Sequence, residues 1–348
     1  MTIESKIEEI RAAVRGKEMT AEMSGFLYRQ HCYYLIAIAG HPLYKTRLAA
    51  EQMVNRLIVE QRYSACKSVF EKIQFPYAII KGAVLSKQIY GSPFLRMSCD
   101  MDFLVSKKNV DELKQILLSC GFIQGRITNK GVEPFNRREV VFQNTVTHQT
   151  APFVKTIDSN VCQSVVVDIN HSIMWGESTN KIDTDFVLSH LEEDALCKTS
   201  FKKLDREIEF ISLCLHHYKD MNSLYLLVQG KFGLNLFCDI YFYLLNASPD
   251  VLKLTNFCKD LHIGKYVYVC LHHTYSIFND DIVLKYLNAL EKQADQSLLN
   301  TFGLRQDEIK EWDMNLFERI FANDLGKRVY SHLSRAEKEK LMVNQYYM

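Results

Sequence analysis

Two aspartates, Asp100 and Asp102, alternate within the otherwise mostly apolar run Cys99-Asp-Met-Asp-Phe-Leu-Val105. In a strand, positions i and i+2 point to one face, roughly 6.6 Å apart at the backbone. Like charges at that spacing repel, and burial adds a desolvation cost of several kcal/mol per ion. A third carboxylate, Asp168, interrupts the β-branched run Val165-Val-Val-Asp-Ile169, an equally costly place for a lone charge. Brought together on one sheet face, the three would form an oxygen-only donor set suited to Mg²⁺ or Mn²⁺. Two such ions, roughly 3.5–4 Å apart, activate an attacking oxygen and neutralise a leaving pyrophosphate. The plainer alternatives are a solvated strand end for Asp100 and Asp102, and an ion pair with Arg137 or Arg138 for Asp168.

Lys81-Gly82 stands upstream, between the strand-like Phe75-Pro-Tyr-Ala-Ile-Ile80 and the helix-like Ala83–Tyr90. A glycine at a strand-to-helix turn lets backbone N–H groups approach a phosphate, and the helix N-terminus favours negative charge. Lys81 adds a point charge there. Arg96 could clamp phosphate or pair with Asp100. Ser98, read as lying on the same strand face as Asp100 and Asp102, could touch metal-bound water or make a structural hydrogen bond. Tyr90 reads as packing. His148 and His171 read either as structural residues or as the lining of an acceptor pocket.

The elements that must position these residues are legible in outline. Residues 1–74 read as an N-terminal helical region, with Met53, Leu57, Ile58, Tyr63, Val69 and Phe70 near helical spacing. Residues 75–182 collect the strand-like runs into an α+β sheet domain. Gly91-Ser-Pro93 ends the first helix, Asn109 and Gly121 flank a second, and 139–150 and 164–175 read as two further strands. From about 183 to 348 the pattern is helical, clearest in Glu207–Asp220 and Leu234–Leu245.

Composition bounds the remainder. The chain has 348 residues, 47% hydrophobic and 24% charged, with a formal net charge of +1. That is ordinary for a globular protein and gives no global field directed at nucleic acid. Ten cysteines occur with no C-x-x-C, and the charged start of the sequence lacks the apolar segment of a secretory signal. A cytoplasmic location without membrane insertion is the expectation. The four letters Cys-Leu-His-His occur twice, at 214–217 and 270–273. Cysteine and second histidine share a helix face at i, i+3, so two such faces could form a Cys₂His₂ zinc site. Both segments read equally well as amphipathic helices with buried thiols.

The pattern K-G-x-x-L, then Y-G, then R-x-x-x-D-x-D-x-L-V resembles the uncharacterised nucleotidyltransferase family of the polymerase-β-type superfamily. Here it is carried by Lys81, Gly82, Leu85, Tyr90, Gly91, Arg96, Asp100, Asp102, Leu104 and Val105, with resemblance over roughly residues 75–245. The superfamily's usual Gly-Ser or Gly-Gly is Gly82-Ala83 here. The resemblance implies a small polymerase-β-like sheet domain flanked by helical regions. It implies transfer of a nucleoside monophosphate from a nucleoside triphosphate to an acceptor, with Mg²⁺ or Mn²⁺ held by Asp100, Asp102 and Asp168. Asp168 takes the place of the family's third carboxylate, which precedes a histidine, here His171. Triphosphate contacts fall to Lys81, Gly82, Arg96 and Ser98. Two alternatives share the pattern. One is a toxin-like nucleotidyltransferase acting on tRNA and paired with an antitoxin, for which Arg96, Ser98, Asp100 and Asp102 also match. It would need a basic groove, for which Lys107, Lys108, Arg126, Lys130, Arg137 and Arg138 are candidates, and near-zero net charge counts against it. The other is a catalytically silent nucleotide- or partner-binding protein, for which three costly carboxylates would be unnecessary.

Overall fold

The computed structural model describes residues 2–128, 131–146, 149–176 and 178–347, the side chains of 142–146 and 342–347 excepted. The chain divides into two compact units. One comprises Pro42–Ser212 with Leu245–Asp250, the other Met1–His41, Leu213–Leu244 and Val251–Met348.

The first unit is built on an eight-stranded mixed sheet: β1 (Tyr77–Ile80), β2 (Asp100–Val105), β3 (Ile123–Thr128), β4 (Gly131–Pro134), β5 (Phe153–Thr156), β6 (Ser164–Asn170), β7 (Leu191–Leu196) and β8 (Thr199–Leu204). Their order is β4-β3-β5-β6-β2-β1-β8-β7. The β2–β6 and β1–β8 pairs are parallel and the others antiparallel. This mixed sheet with helices before and after it in the chain is the α+β architecture expected.

Strand periodicity divides the sheet chemically. On β2, Met101, Phe103 and Val105 enter the core, as Val165, Val167 and Ile169 do on β6. The long helix Pro42–Lys72 covers that face with Val59, Tyr63, Cys66, Val69 and Phe70. Phe70 stacks on Phe103 at 5.5 Å between ring centroids. Positions of opposite parity, Asp100, Asp102, Asp168 and Asn170, therefore point to the other face. The apolar residues that anchor the two strands also fix where the carboxylates go.

Three parts of the unit differ from the sequence reading. Residues 139–150, read as a strand, belong largely to the helix Arg137–Val146. Asn136 starts it: its side chain accepts from the N–H of Arg138 and Glu139, while Glu139 accepts from the N–H of Asn136. That reciprocal cap outweighs the strand preference of Val140, Val141 and Phe142. The region after 183 is not wholly helical, because the β7–β8 hairpin returns to the sheet. The β3–β4 hairpin, unforeseen in the sequence, extends the opposite edge. Of the expected helix boundaries, Gly121 takes the left-handed φ of 83° just past Ser119, whereas Asn109 makes no side-chain cap bond.

The second unit is mainly helical and includes the later part of the helix Arg206–Asn222, all but the last turn of Leu234–Ala247, and the whole of Gly264–Phe278. Cys270 Sγ donates to the Cys214 carbonyl at 3.3 Å, so the two echoed segments are neighbours. The four donors Cys214, His217, Cys270 and His273 do not gather into one metal-ligating group among the described residues. His273 instead sets its ring edge-on to Phe237 at 6.1 Å. All ten cysteines are free thiols. No described helix is long and apolar enough to cross a membrane.

Candidate active site

Asp102 pairs directly with Asp168 in the parallel β2–β6 register, and Asp100 lies two residues before Asp102. The three carboxylates thus occupy one face of two neighbouring strands. Burial, then the charge of Asp102, holds the Asp100 carboxyl above its ordinary range. Burial, then Asp102 and Asp100, pushes Asp168 up to about 7. Neither Asp100 nor Asp168 has an ion-pair partner within 4.0 Å among the described residues. Asp168 is not tied to Arg137 or Arg138. Asp102 is held differently: Lys81 Nζ lies 3.1 Å from its Oδ1, and the Asn170 amide donates to the same oxygen at 3.0 Å.

The turn before the Gly82–Tyr90 helix lies beside the start of β2, because β1 runs antiparallel to β2 with Ile80 opposite Asp102. Lys81 adopts φ 62° and ψ −158°, a conformation left almost entirely to glycine. Gly82 follows with φ 53°. The helix start has no side-chain cap, so its first N–H groups remain available to an anion. A Cβ on Gly82 would meet Ser98 Oγ at 3.1 Å. Gly82→Ala should therefore cost about 1–2 kcal/mol in backbone strain and displace Ser98. A small fall in melting temperature with at least about a tenfold loss of kcat/KM is expected; unchanged kinetics would show that the turn has no part in substrate binding.

Ser98 lies ahead of β2 rather than on it, and its hydroxyl donates to the Asp100 carbonyl at 2.8 Å. Arg96 lies in the same approach, its backbone N–H donating to Ser86 Oγ at 3.0 Å. His171 follows the last residue of β6 and is half-buried, and burial followed by the charge of Lys107 lowers its pKa. His148 lies outside the described residues.

A family model described as "Uncharacterised nucleotidyltransferase" matches residues 46–279, about two-thirds of the chain. The chain belongs to this nucleotidyltransferase family. No curated protein and no solved structure matches it. The family match begins inside the Pro42–Lys72 helix and runs beyond the sheet, wider than the 75–245 span suggested by the motifs.

That wider span includes a residue of this nucleotidyltransferase that the motifs miss. Arg62, only 5% exposed, projects from the long helix to the start of β2. Its guanidinium donates to Ser98 Oγ and to the Asp100 carbonyl at 3.3 Å each, and to the Ser98 carbonyl at 3.1 Å. It fixes the backbone that presents Asp100. Arg62→Met should cost about 3 kcal/mol, since buried carbonyls lose charged donors, and lower turnover at least tenfold (about 1.4 kcal/mol). Urea denaturation and initial rates check the two effects separately; full activity with lowered stability would restrict Arg62 to the fold. Asn170, 1% exposed, is the second such residue. Gln149 donates to Asn170 Oδ1 at 2.8 Å, which orients the Asn170 amide toward Asp102.

The donor set is chemically suited to a divalent cation, although among the described residues the three carboxylates do not gather into one group with ligand oxygens within 4.8 Å of one another. It offers carboxylate oxygens only, two of them without ion-pair partners and both held above the ordinary carboxylate range by burial and mutual repulsion. Beyond the carboxyl ends of β2 and β6 lies a cavity of about 380 Å³, lined by Ser106, Lys107, His171, Trp175, Lys181 and Thr184 among others. Small-molecule sites begin at about this volume.

Proposed function

We propose that this family member moves a nucleoside monophosphate group from a nucleoside triphosphate to an acceptor hydroxyl or phosphate, releasing pyrophosphate. The observation that carries this reading is the register pairing of Asp102 with Asp168, with Asp100 on the same face and the Lys81-Gly82 turn alongside. Asp100 and Asp102 would hold Mg²⁺ or Mn²⁺, and Asp168 would share in one ion. When bound, such ions neutralise charge on the triphosphate and make the acceptor oxygen more nucleophilic.

The chain's own groups account for the remaining requirements. The N–H groups at the start of the Gly82–Tyr90 helix, with Lys81, bind triphosphate oxygens. The Arg62–Ser98 contacts keep the Asp100 backbone in place, and Arg96 lies in the same loop for a further phosphate contact. Asp168, sharing in one ion, would lie beside the acceptor oxygen and help take its proton. The cavity beyond the ends of β2 and β6, whose lining includes none of the three aspartates, would take the acceptor, with Lys107 and Lys181 favouring an anionic group.

A small acceptor is preferred to the tRNA alternative because the formal net charge of +1 gives no basic field for RNA. The test is pyrophosphate release when each nucleoside triphosphate and Mg²⁺ meet a fractionated extract of small metabolites. Release that depends on one fraction supports the reading. Release of inorganic phosphate instead would replace it with a phosphoryl-transfer or hydrolytic one.

A further inference from the structure

His216, His217 and Asp220 lie within one turn of the Arg206–Asn222 helix, and one ligand atom from each falls within 4.8 Å of the others. Their segment belongs entirely to the second unit. His217 is 1% exposed, and neither of its ring nitrogens makes a hydrogen bond. Its Nε2 lies 3.3 Å from Asp239 Oδ2, close enough for attraction but without hydrogen-bond geometry. Asp239 is itself buried, at 3% exposure. His216 Nε2 lies 3.4 Å from Asp220 Oδ2, and Asp220 Oδ1 is buried without a hydrogen bond, 3.3 Å from Lys219 Nζ.

A buried imidazole with both nitrogens unsatisfied needs an explanation. A simple ion pair with Asp239 would engage only Nε2 and leave Nδ1 without a partner. A metal ion offers a different account. A ligating histidine gives one ring nitrogen to the ion and its other N–H to a carboxylate, which sets the tautomer. His217 has an open Nδ1 and a carboxylate beside Nε2. His216 and Asp220, at i and i+4, add a second nitrogen and an oxygen on the same helix.

We propose that His216, His217 and Asp220 form a second metal site, for a divalent transition ion of the Zn²⁺ class, with Asp239 orienting His217 from behind. Two nitrogens and one oxygen suit Zn²⁺ and not Mg²⁺, so this site differs in metal preference from the all-carboxylate cluster on the sheet. Three protein ligands leave a fourth position for water or an incoming group. The histidines would bind as neutral imidazoles and Asp220 as carboxylate, which requires Lys219 to give up its 3.3 Å contact with Asp220 Oδ1.

The full-length chain, stripped with chelator and titrated with Co²⁺ alone, provides the test. One Co²⁺ per chain should bind with a visible spectrum of mixed nitrogen and oxygen ligation and be displaced by Zn²⁺. Asp100→Asn and Asp102→Asn should leave it intact. His216→Ala and Asp220→Asn should each weaken it at least about 100-fold, and Asp239→Asn about 10–100-fold. X-ray absorption on the Zn²⁺-loaded wild-type protein reads the ligands without any substitution, whatever the variants' folding. Two imidazoles in the first shell are expected there. No bound ion, a first shell without imidazole, or loss of binding only in the Asp100 and Asp102 variants would overturn the proposal.

Discussion

Replacing Asp100 or Asp168 by asparagine is expected to abolish nucleotidyl transfer, by at least about a thousand-fold, while making the metal-free protein more stable. The two effects have one cause. In the folded chain both carboxylates are partly buried, and each is disfavoured as an anion by burial and by its acidic neighbours. An amide keeps the shape and removes the charge. At pH 8, where Asp168 is ionised, the relief at that position should be on the order of 2–4 kcal/mol. That corresponds to a rise of about 5 °C or more in melting temperature for a unit of this size. Asp102→Asn should be as inactive but less stabilising, because Asp102 already has Lys81 and Asn170 as partners. A structural role for the carboxylates gives the opposite pattern, with stability and activity falling together. Calorimetry and steady-state rates on the same preparations separate the two.

The pH dependence of the metal-free protein should carry the same signature. Asp168 titrates near its ordinary value of 3.8 when unfolded and at about 7 when folded. Between those values the folded state holds a proton that the unfolded state has lost, so unfolding releases a proton. Stability from this group is therefore fully present below about pH 4 and is lost as pH rises through 7. Other carboxylates, such as Asp185 beside Lys108, have lowered values and act in the reverse sense at acid pH. The informative quantity is thus the difference between wild type and Asp168→Asn. That difference should grow from near zero at pH 4 to its full value by pH 8. Millimolar Mg²⁺ should then stabilise wild type more at pH 8 than at pH 5.5, because it binds only the ionised cluster. A difference that is flat with pH would mean that Asp168 is not strained as an anion.

The α+β class and the placing of three carboxylates on one sheet face were legible in the sequence; the full strand order was not. Asp100, Asp102 and Asp168 interrupt apolar or β-branched runs at strand spacing, and the β2–β6 register brings them to one face. Arg62 lacks such a signal: on the helix Pro42–Lys72 it is one more basic residue, and only folding brings it to Ser98 and Asp100. Asn170 is hidden for a similar reason, being one polar residue at the end of a strand. The misread helix at 137–146 did leave a signature, Asn136 followed three residues later by Glu139, but the adjoining Val-Val-Phe run masks it. The β7–β8 hairpin was unreadable for two reasons. Its strands, Leu-Glu-Glu-Asp-Ala-Leu at the sheet edge and Thr-Ser-Phe-Lys-Lys-Leu beside it, are rich in polar residues and tied in part by Lys202–Glu193 and Lys203–Glu192 ion pairs. Its turn uses Cys197 and Lys198 at φ 53° and 63°, where a glycine or asparagine would have announced it.

The most direct test of nucleotidyl transfer follows the fate of one phosphorus atom. Purified protein with Mg²⁺ or Mn²⁺ is added to a lysate of its source organism, with each nucleoside triphosphate labelled on the α-phosphate and γ-labelled ATP in parallel. The expected result is α-label on a discrete acceptor, pyrophosphate release in step with it, and neither with Asp102→Asn. Label transferred from the γ-position alone would contradict the reaction. No transfer to any small molecule, protein or RNA, with nucleotide binding intact, would contradict catalysis itself.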